Sequence, residues 1–198
     1  MTHAYSSRLD EATQLALSSF RPVWRKGSRV PYITHLFSVT ALVGEHGGDE
    51  DQMVAAMLHD WLEDIPGATV GELEGRFGPR VAGLVLALSD TMEHPKPPWR
   101  PRKEAYIRKL RGEHPDVKLV SAADKLHNVQ TVIMDHRRMG DAIFDRFTGR
   151  RDGTLWYYRE VHDALAEGWH SPLLDRLKEE VDALHLRAEE PPGAPPAP

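Results

Sequence analysis

Val54-Ala55-Ala56-Met57-Leu58-His59-Asp60-Trp61-Leu62-Glu63-Asp64 is the stretch that decides how the rest of the chain is read. From Val54 to Leu62 only His59 and Asp60 are polar, the pattern of a helix enclosed by protein on all sides. An ionised carboxylate beside an imidazole is costly in such a place unless a partner charge or a metal ion compensates. One turn on, Glu63 and Asp64 follow His59 and Asp60 at i+4 and occupy neighbouring ground. Taken alone, a His-Asp pair has an ordinary explanation as a hydrogen-bonded couple in a core. Four titratable groups along one buried helix are hard to satisfy that way and favour a metal site. His35 lies upstream and Asp124 downstream, so His35, His59, Asp60 and Asp124 offer the nitrogen and oxygen donors that a divalent cation takes. Glu63 and Asp64 are then left beside the ion to handle protons.

On both sides of this stretch nearly every segment has helical period, and none shows sustained strand alternation bounded by hairpin turns. Leu9, Ala12, Leu15, Ala16 and Phe20 mark a first amphipathic helix that stops before Pro22. Thr34 reads as the N-cap of a helix through about Glu45, and Gly47-Gly48 breaks it. Asp49 caps the central helix, expected from Glu50 through Trp61. Thr69-Val70-Gly71-Glu72 resembles a capping box for a short helix ending near Phe77-Gly78, and Pro79 opens the next, through Ser89.

Four prolines make His94 to Pro101 an expected extended loop, with helix resuming from Arg102 to Leu110. A long helix starts at Pro115 or Asp116 and reaches about Arg138. Two more are expected, from Leu155 to about Glu167 and from Ser171-Pro172 to about Arg187. The expectation is an all-α bundle of roughly eight to ten helices, one domain over residues 1–187, with a disordered Pro/Ala-rich tail at 188–198.

Composition narrows the function classes. A formal net charge of −5 argues against a nucleic-acid scaffold, which needs clustered cations. The absence of cysteine removes disulfides and thiolate metal sites and fits a reducing compartment. With no apolar run near the length of a membrane span and no basic-then-apolar start, a cytoplasmic location without a membrane partner is expected.

On the long helix, Leu119, Leu126, Val129 and Ile133 share one face, while Asp124, Asn128 and Thr131 share the opposite one. That polar stripe is open to two readings: it faces solvent, or it lines a cavity in which Asp124 is a ligand and Asn128 and Thr131 touch a substrate. Trp156, Tyr157 and Tyr158 read as core packing, or as a dimer contact if exposed.

Order and spacing carry a resemblance. The segments Pro31-Tyr32-Ile33-Thr34-His35, Ala56 to Asp64, Arg76-Phe77-Gly78-Pro79-Arg80-Val81, and Lys118 to Asn128 with its Ala123-Asp124-Lys125-Leu126-His127-Asn128 resemble the HD superfamily of metal-dependent phosphohydrolases. Within it they look like the hydrolase domain of the RelA/SpoT alarmone enzymes, in a stand-alone small form similar to the Mesh1-type enzymes. The match spans roughly residues 5 to 165. It implies an HD-domain fold in which His35, His59, Asp60 and Asp124 hold one Mn²⁺, other divalent metals remaining open. Glu63 and Asp64 would position and deprotonate the attacking water or protonate the leaving group. The implied reaction removes the 3′-pyrophosphate of (p)ppGpp, giving GDP or GTP and pyrophosphate.

The resemblance also places Arg25 and Lys26 against the nucleotide, and Asn128 and Thr131 against its nucleoside. Lys96, Arg100, Arg102 and Lys103, on and beside the Pro-rich loop, are candidates for the 5′-phosphates, with a solvated basic loop as the alternative. Three positions depart from the family or do not align: Leu36 follows His35 where proline is usual, Gln130 stands where arginine often follows, and Trp99 matches no role. The competing expectations are an HD phosphohydrolase on another nucleotide (a 5′-nucleotidase, phosphodiesterase or NADPH phosphatase) and a non-catalytic alarmone-binding module. An antitoxin-like setting is a further biological alternative.

Overall fold

The computed structural model describes residues 4–93 and 95–189. Among them are ten α-helices, one 3-10 helix and no β-strand. The helices are α1 (Ser7–Ser19), α2 (Ile33–Glu45), α3 (Glu50–Leu58), α4 (Trp61–Asp64), α5 (Val70–Phe77) and α6 (Pro79–Leu88). They continue with α7 (Trp99–Arg111), α8 (Pro115–Met139), a 3-10 helix (Gly140–Arg146), α9 (Arg150–Ala166) and α10 (Pro172–Glu189).

Local chemistry starts most of them. The Ser6 side chain accepts from the Arg8 N–H, and Thr69 accepts from that of Glu72. Asp49 and Gln52 form a reciprocal capping box. Pro79 and Pro115 open α6 and α8, where a missing N–H costs nothing. Gly78 joins α5 to α6 with φ of 88°, a conformation that side chains with a Cβ rarely adopt.

The long α8 is the axis of the bundle. It packs against α2, α3, α6, α9, α10 and the 3-10 helix, and its residues from Val117 to Asp124 are all buried. Lys118 sits in this core with 2% exposure. Its ammonium donates to the carbonyls of Arg111 (3.0 Å) and Glu167 (2.5 Å), at the C-terminal ends of α7 and α9. Orphan carbonyls and the negative end of a helix dipole both favour a cation there.

Several sequence expectations are corrected. The central helix does not run unbroken through Trp61: it stops at Leu58 and restarts at Trp61. The His59 side chain takes the Ala56 carbonyl at 2.8 Å, and Asp60 sits at φ −98°, ψ 2°. That opening lets His59 and Asp60 face one point, whereas neighbours on a regular helix diverge by roughly 100°.

Helix α7 begins at Trp99, so the end of the Pro-rich segment is helical. Pro101 falls in its first turn, where proline is tolerated. Helix α9 begins at Arg150, ahead of Gly153. The Trp99 ring lies against Gly149 and Gly153, and a Cβ at Gly149 would come within 2.6 Å of it. That glycine is a packing contact. The 3-10 helix has no counterpart among the expected elements, and α10 runs to Glu189, past the boundary drawn after residue 187. The rest of the expected tail, and His94 in the Pro-rich segment, lie outside the described residues. No described helix is long and apolar enough to cross a membrane.

Candidate metal centre and its cavity

The break in the central helix, α2 and α8 bring three donors together. His35 is fully buried, His59 and Asp124 nearly so, and one ligand atom from each lies within 4.8 Å of the others. His35 Nε2 is 3.2 Å from Asp124 Oδ1, and His59 Nε2 is 3.7 Å from the same oxygen. Asp60 approaches from the side, its Oδ2 2.9 Å from His59 Nε2 and 3.9 Å from His35 Nε2.

Both imidazole Nε2 atoms are buried, yet neither makes a hydrogen bond among the described residues. They come close to carboxylate oxygens without pointing a hydrogen at them. Two donors about 2.1 Å from one ion at right angles would stand about 3 Å apart, which is the spacing of the closest pairs here. Two nitrogens and two carboxylates suit a divalent cation, and the orphaned nitrogens are what such an ion would satisfy.

The surroundings favour the charged form of the carboxylates. Burial opposes ionisation of Asp124, but the adjacent Lys125 ammonium and the two imidazoles hold its carboxyl well below the usual range. Lys125 donates to Asp124 Oδ2, and Asn128 Nδ2 donates to Oδ1 at 2.5 Å. Arg25 in turn donates to Asn128 Oδ1 at 2.6 Å, so a cation backs the ligand through an amide. Asp60 is likewise lowered against the pull of burial, chiefly by His59, and accepts from the Tyr32 hydroxyl. Burial pushes His35 down to about 4, which keeps it neutral. His59 goes the other way: burial opposes its charge, but Asp60 and Asp124 raise it well above the ordinary value.

Glu63 and Asp64 stand next to this cluster. The Lys96 ammonium bridges them, 2.8 Å from Glu63 Oε1 and 3.0 Å from Asp64 Oδ1. Burial and then the charge of Asp60 raise the pKa of both, with Lys96 opposing. A carboxyl raised toward neutrality is better placed to exchange protons than one held at its ordinary value. The Asp90 backbone N–H adds a 3.3 Å bond to Glu63 Oε2.

Above these groups opens a cavity of about 370 Å³. Its wall includes Arg25, Lys26, Lys96, Lys103, Asn128 and Thr131, all singled out from the sequence. Asp124 therefore faces the cavity rather than solvent, and its polar stripe lines a wall. Arg102 and Arg100 are placed differently. Arg102 is not among the lining residues; its guanidinium pairs with Asp90, which also accepts from Lys103. Arg100 lies over the Trp156 ring at 3.4 Å and pairs with Glu104. Gln130 donates to Glu180 on α10, so that departure from the family is turned away from the site. Leu36 is buried in the core of α2. Trp99 meets Trp156 and Tyr157 edge-on and ties α7 to α9, and the two tyrosines beside Trp156 are buried.

The sequence does not single out Tyr32, Lys125, His127 or Asp90. The first three lie inside motifs quoted for other residues, and adjacency to a ligand was the available signal for Lys125. Asp90 follows the end of α6 and offered no signal.

Comparison with known proteins agrees with the geometry. The HD domain pattern matches residues 12–155. The guanosine-3′,5′-bis(diphosphate) 3′-pyrophosphohydrolase MESH1 of Homo sapiens is 34% identical over 128 residues, 63% of this chain and 69% of that protein. The bifunctional (p)ppGpp synthase/hydrolase SpoT of Escherichia coli K12 is 35% identical over 113 residues, 54% of this chain but 16% of that longer protein. Among solved structures, a metazoan ortholog of SpoT that hydrolyses ppGpp superposes with a TM-score of 0.78 at 27% identity. It covers 92% of this chain and 98% of its own. A Listeria monocytogenes EGD-e protein reaches 0.69 at 26% identity, covering 76% of this chain and 97% of its own. The family pattern runs from α1 into α9 and is not confined to one short motif: the chain belongs to the HD-domain family.

Proposed function

We propose that this chain is a metal-dependent phosphohydrolase that removes the 3′-pyrophosphate of (p)ppGpp, releasing GDP or GTP and pyrophosphate. The observation that carries the reading is the convergence of His35, His59 and Asp124 beneath a cation-lined cavity, with Glu63 and Asp64 alongside. The activities named for the human and bacterial relatives support the substrate.

His35, His59, Asp60 and Asp124 would hold the ion, which we take to be Mn²⁺ from the family resemblance; imidazole and carboxylate donors without thiolate suit that ion as they suit other divalent metals. When bound, it supplies Lewis acidity toward a phosphoryl oxygen and lowers the pKa of water at the site. The chain's own residues do the rest. Hydrolysis needs a base for the proton of the attacking water and a proton for the departing 3′ oxygen. Glu63 and Asp64, with raised pKa and a shared ammonium between them, are the carboxyls placed to serve both needs.

Lys96 and Lys103 face the cavity as point charges for phosphate, while Arg102 supports that wall through Asp90. Arg25 and Lys26 line the wall shared with Asn128 and Thr131, where the nucleoside would lie. Helices α1 to α10 are taken as one catalytic unit.

Paired variants test the division of labour. His59→Ala should lose both Mn²⁺ binding, followed by calorimetry, and pyrophosphate release from ppGpp. Glu63→Gln should keep the ion and lose turnover. A Glu63→Gln enzyme with near-native turnover would remove the proton-handling role.

A further inference from the structure

One contact of the metal centre is made by a residue that the proposed chemistry does not use. His35 Nδ1 lies 2.7 Å from His127 Nδ1, with the ring centroids 4.8 Å apart. Two ring nitrogens at that distance share one hydrogen, so one imidazole donates and the other accepts. The far side of His35 settles the direction. Its Nε2 is buried without a hydrogen-bond partner among the described residues and stands 3.2 Å from Asp124 Oδ1. To offer a lone pair there, a neutral imidazole must carry its single hydrogen on Nδ1. His127 must then present the lone pair of its own Nδ1 and carry its hydrogen on Nε2.

His59 provides the internal comparison. Its Nδ1 lies 2.8 Å from the Ala56 carbonyl, which can only accept. The backbone thus sets the tautomer of His59, whereas for His35 that task falls to a side chain. His127 sits on α8 one turn beyond Asp124, so one helix supplies both a carboxylate donor and the acceptor facing the α2 histidine.

We infer that His127 is a positioning residue for the metal centre: by accepting the His35 Nδ1 hydrogen it holds that ring with Nε2 turned toward the ion. The inference rests on the metal reading proposed above. Partners of this kind typically change metal affinity about 10-fold to 100-fold.

The test is titration of the full chain with Mn²⁺ alone, comparing wild type, His35→Ala, His127→Leu and His127→Asn. Asparagine places Oδ1 where Nδ1 stood and keeps an acceptor; leucine fills space without one. His127→Leu should bind Mn²⁺ about 10-fold more weakly or worse, and His127→Asn should stay within about threefold of wild type. Nitrogen-15 NMR of the wild-type chain loaded with diamagnetic Zn²⁺ needs no variant to fold, and should show His127 carrying its hydrogen on Nε2. Native affinity in His127→Leu would overturn the inference, as would an equal loss in His127→Asn or a His127 hydrogen on Nδ1. Wild type binding no more tightly than His35→Ala would overturn the metal reading itself, and this inference with it.

Discussion

Asp90→Asn should destabilise the protein by an amount that depends on pH. The Asp90 side chain is 4% exposed and accepts from Arg102 and from Lys103 at 2.5 Å. Burial alone would raise its pKa, but these two cations overcome burial and hold it at about 2, against an ordinary 3.8. A depression of that size corresponds to about 2 to 3 kcal/mol of folding stability at neutral pH. Because the folded-state pKa is depressed, this stability is present above the unfolded value near 4 and is lost as pH falls toward 2. Asparagine does not titrate, and it takes from Lys103 and Arg102 the carboxylate they share, leaving Arg102 with Glu63 at 4.0 Å.

Urea unfolding of both proteins should therefore show a gap of about 2 to 3 kcal/mol at neutral pH that shrinks steadily below about pH 4. An exposed pair serves as the control. Removing the charge of Glu104, which meets Arg100 at 2.8 Å on the surface, should cost under about 0.5 kcal/mol. A gap for Asp90→Asn that stays constant or widens on acidification would mean that the Asp90 charge does not stabilise the fold.

Other outcomes follow from the same geometry. Tyr32→Phe removes the hydroxyl that donates to Asp60 but keeps the ring stacked on Phe20 at 5.2 Å, so Mn²⁺ affinity should fall about 10-fold by calorimetry with little change in melting temperature. Lys96→Met removes the ammonium that opposes the raised pKa of Glu63 and Asp64. The acidic limb of the kcat/KM profile should then move to higher pH, as more hydroxide is needed to deprotonate them. Gly149→Ala places a Cβ within 2.6 Å of the Trp99 ring and should cost about 1 to 3 kcal/mol in urea unfolding, more than Gly153→Ala, whose contact is 3.2 Å.

The parts of the fold legible in the sequence are those governed by neighbouring residues. Asp49, Thr69, Pro79 and Pro115 mark their helix starts because capping and the missing proline N–H act within one turn. The opening at His59 and Asp60 was not legible, since it depends on a side chain competing for the Ala56 carbonyl. Nor was the start of α9, because what occupies the space at Gly149 and Gly153 is the ring of Trp99, distant in sequence.

The candidate site divides in the same way. Four titratable groups on one apolar stretch favour a metal from residue types and spacing, but the sequence did not show that Lys96 would offset Glu63 and Asp64 or that Asp64 would be exposed. The burial of Asp124 depends on packing of α8, so its stripe could be read either way. Arg102 and Lys103 show the limit for substrate contacts: both are cations near the loop, but only the folded chain shows that both pair with Asp90 and that Lys103 is the one that lines the cavity.

Whether the chain is a (p)ppGpp hydrolase is decided by pyrophosphate release from the purified protein, stripped of metal and then resupplied with Mn²⁺. The substrates would be ppGpp, pppGpp, NADPH, cyclic nucleotides and nucleoside 5′-monophosphates. Pyrophosphate should appear from ppGpp and pppGpp only with the ion present, with little turnover of the others. Cleavage of another nucleotide with ppGpp left intact would contradict it.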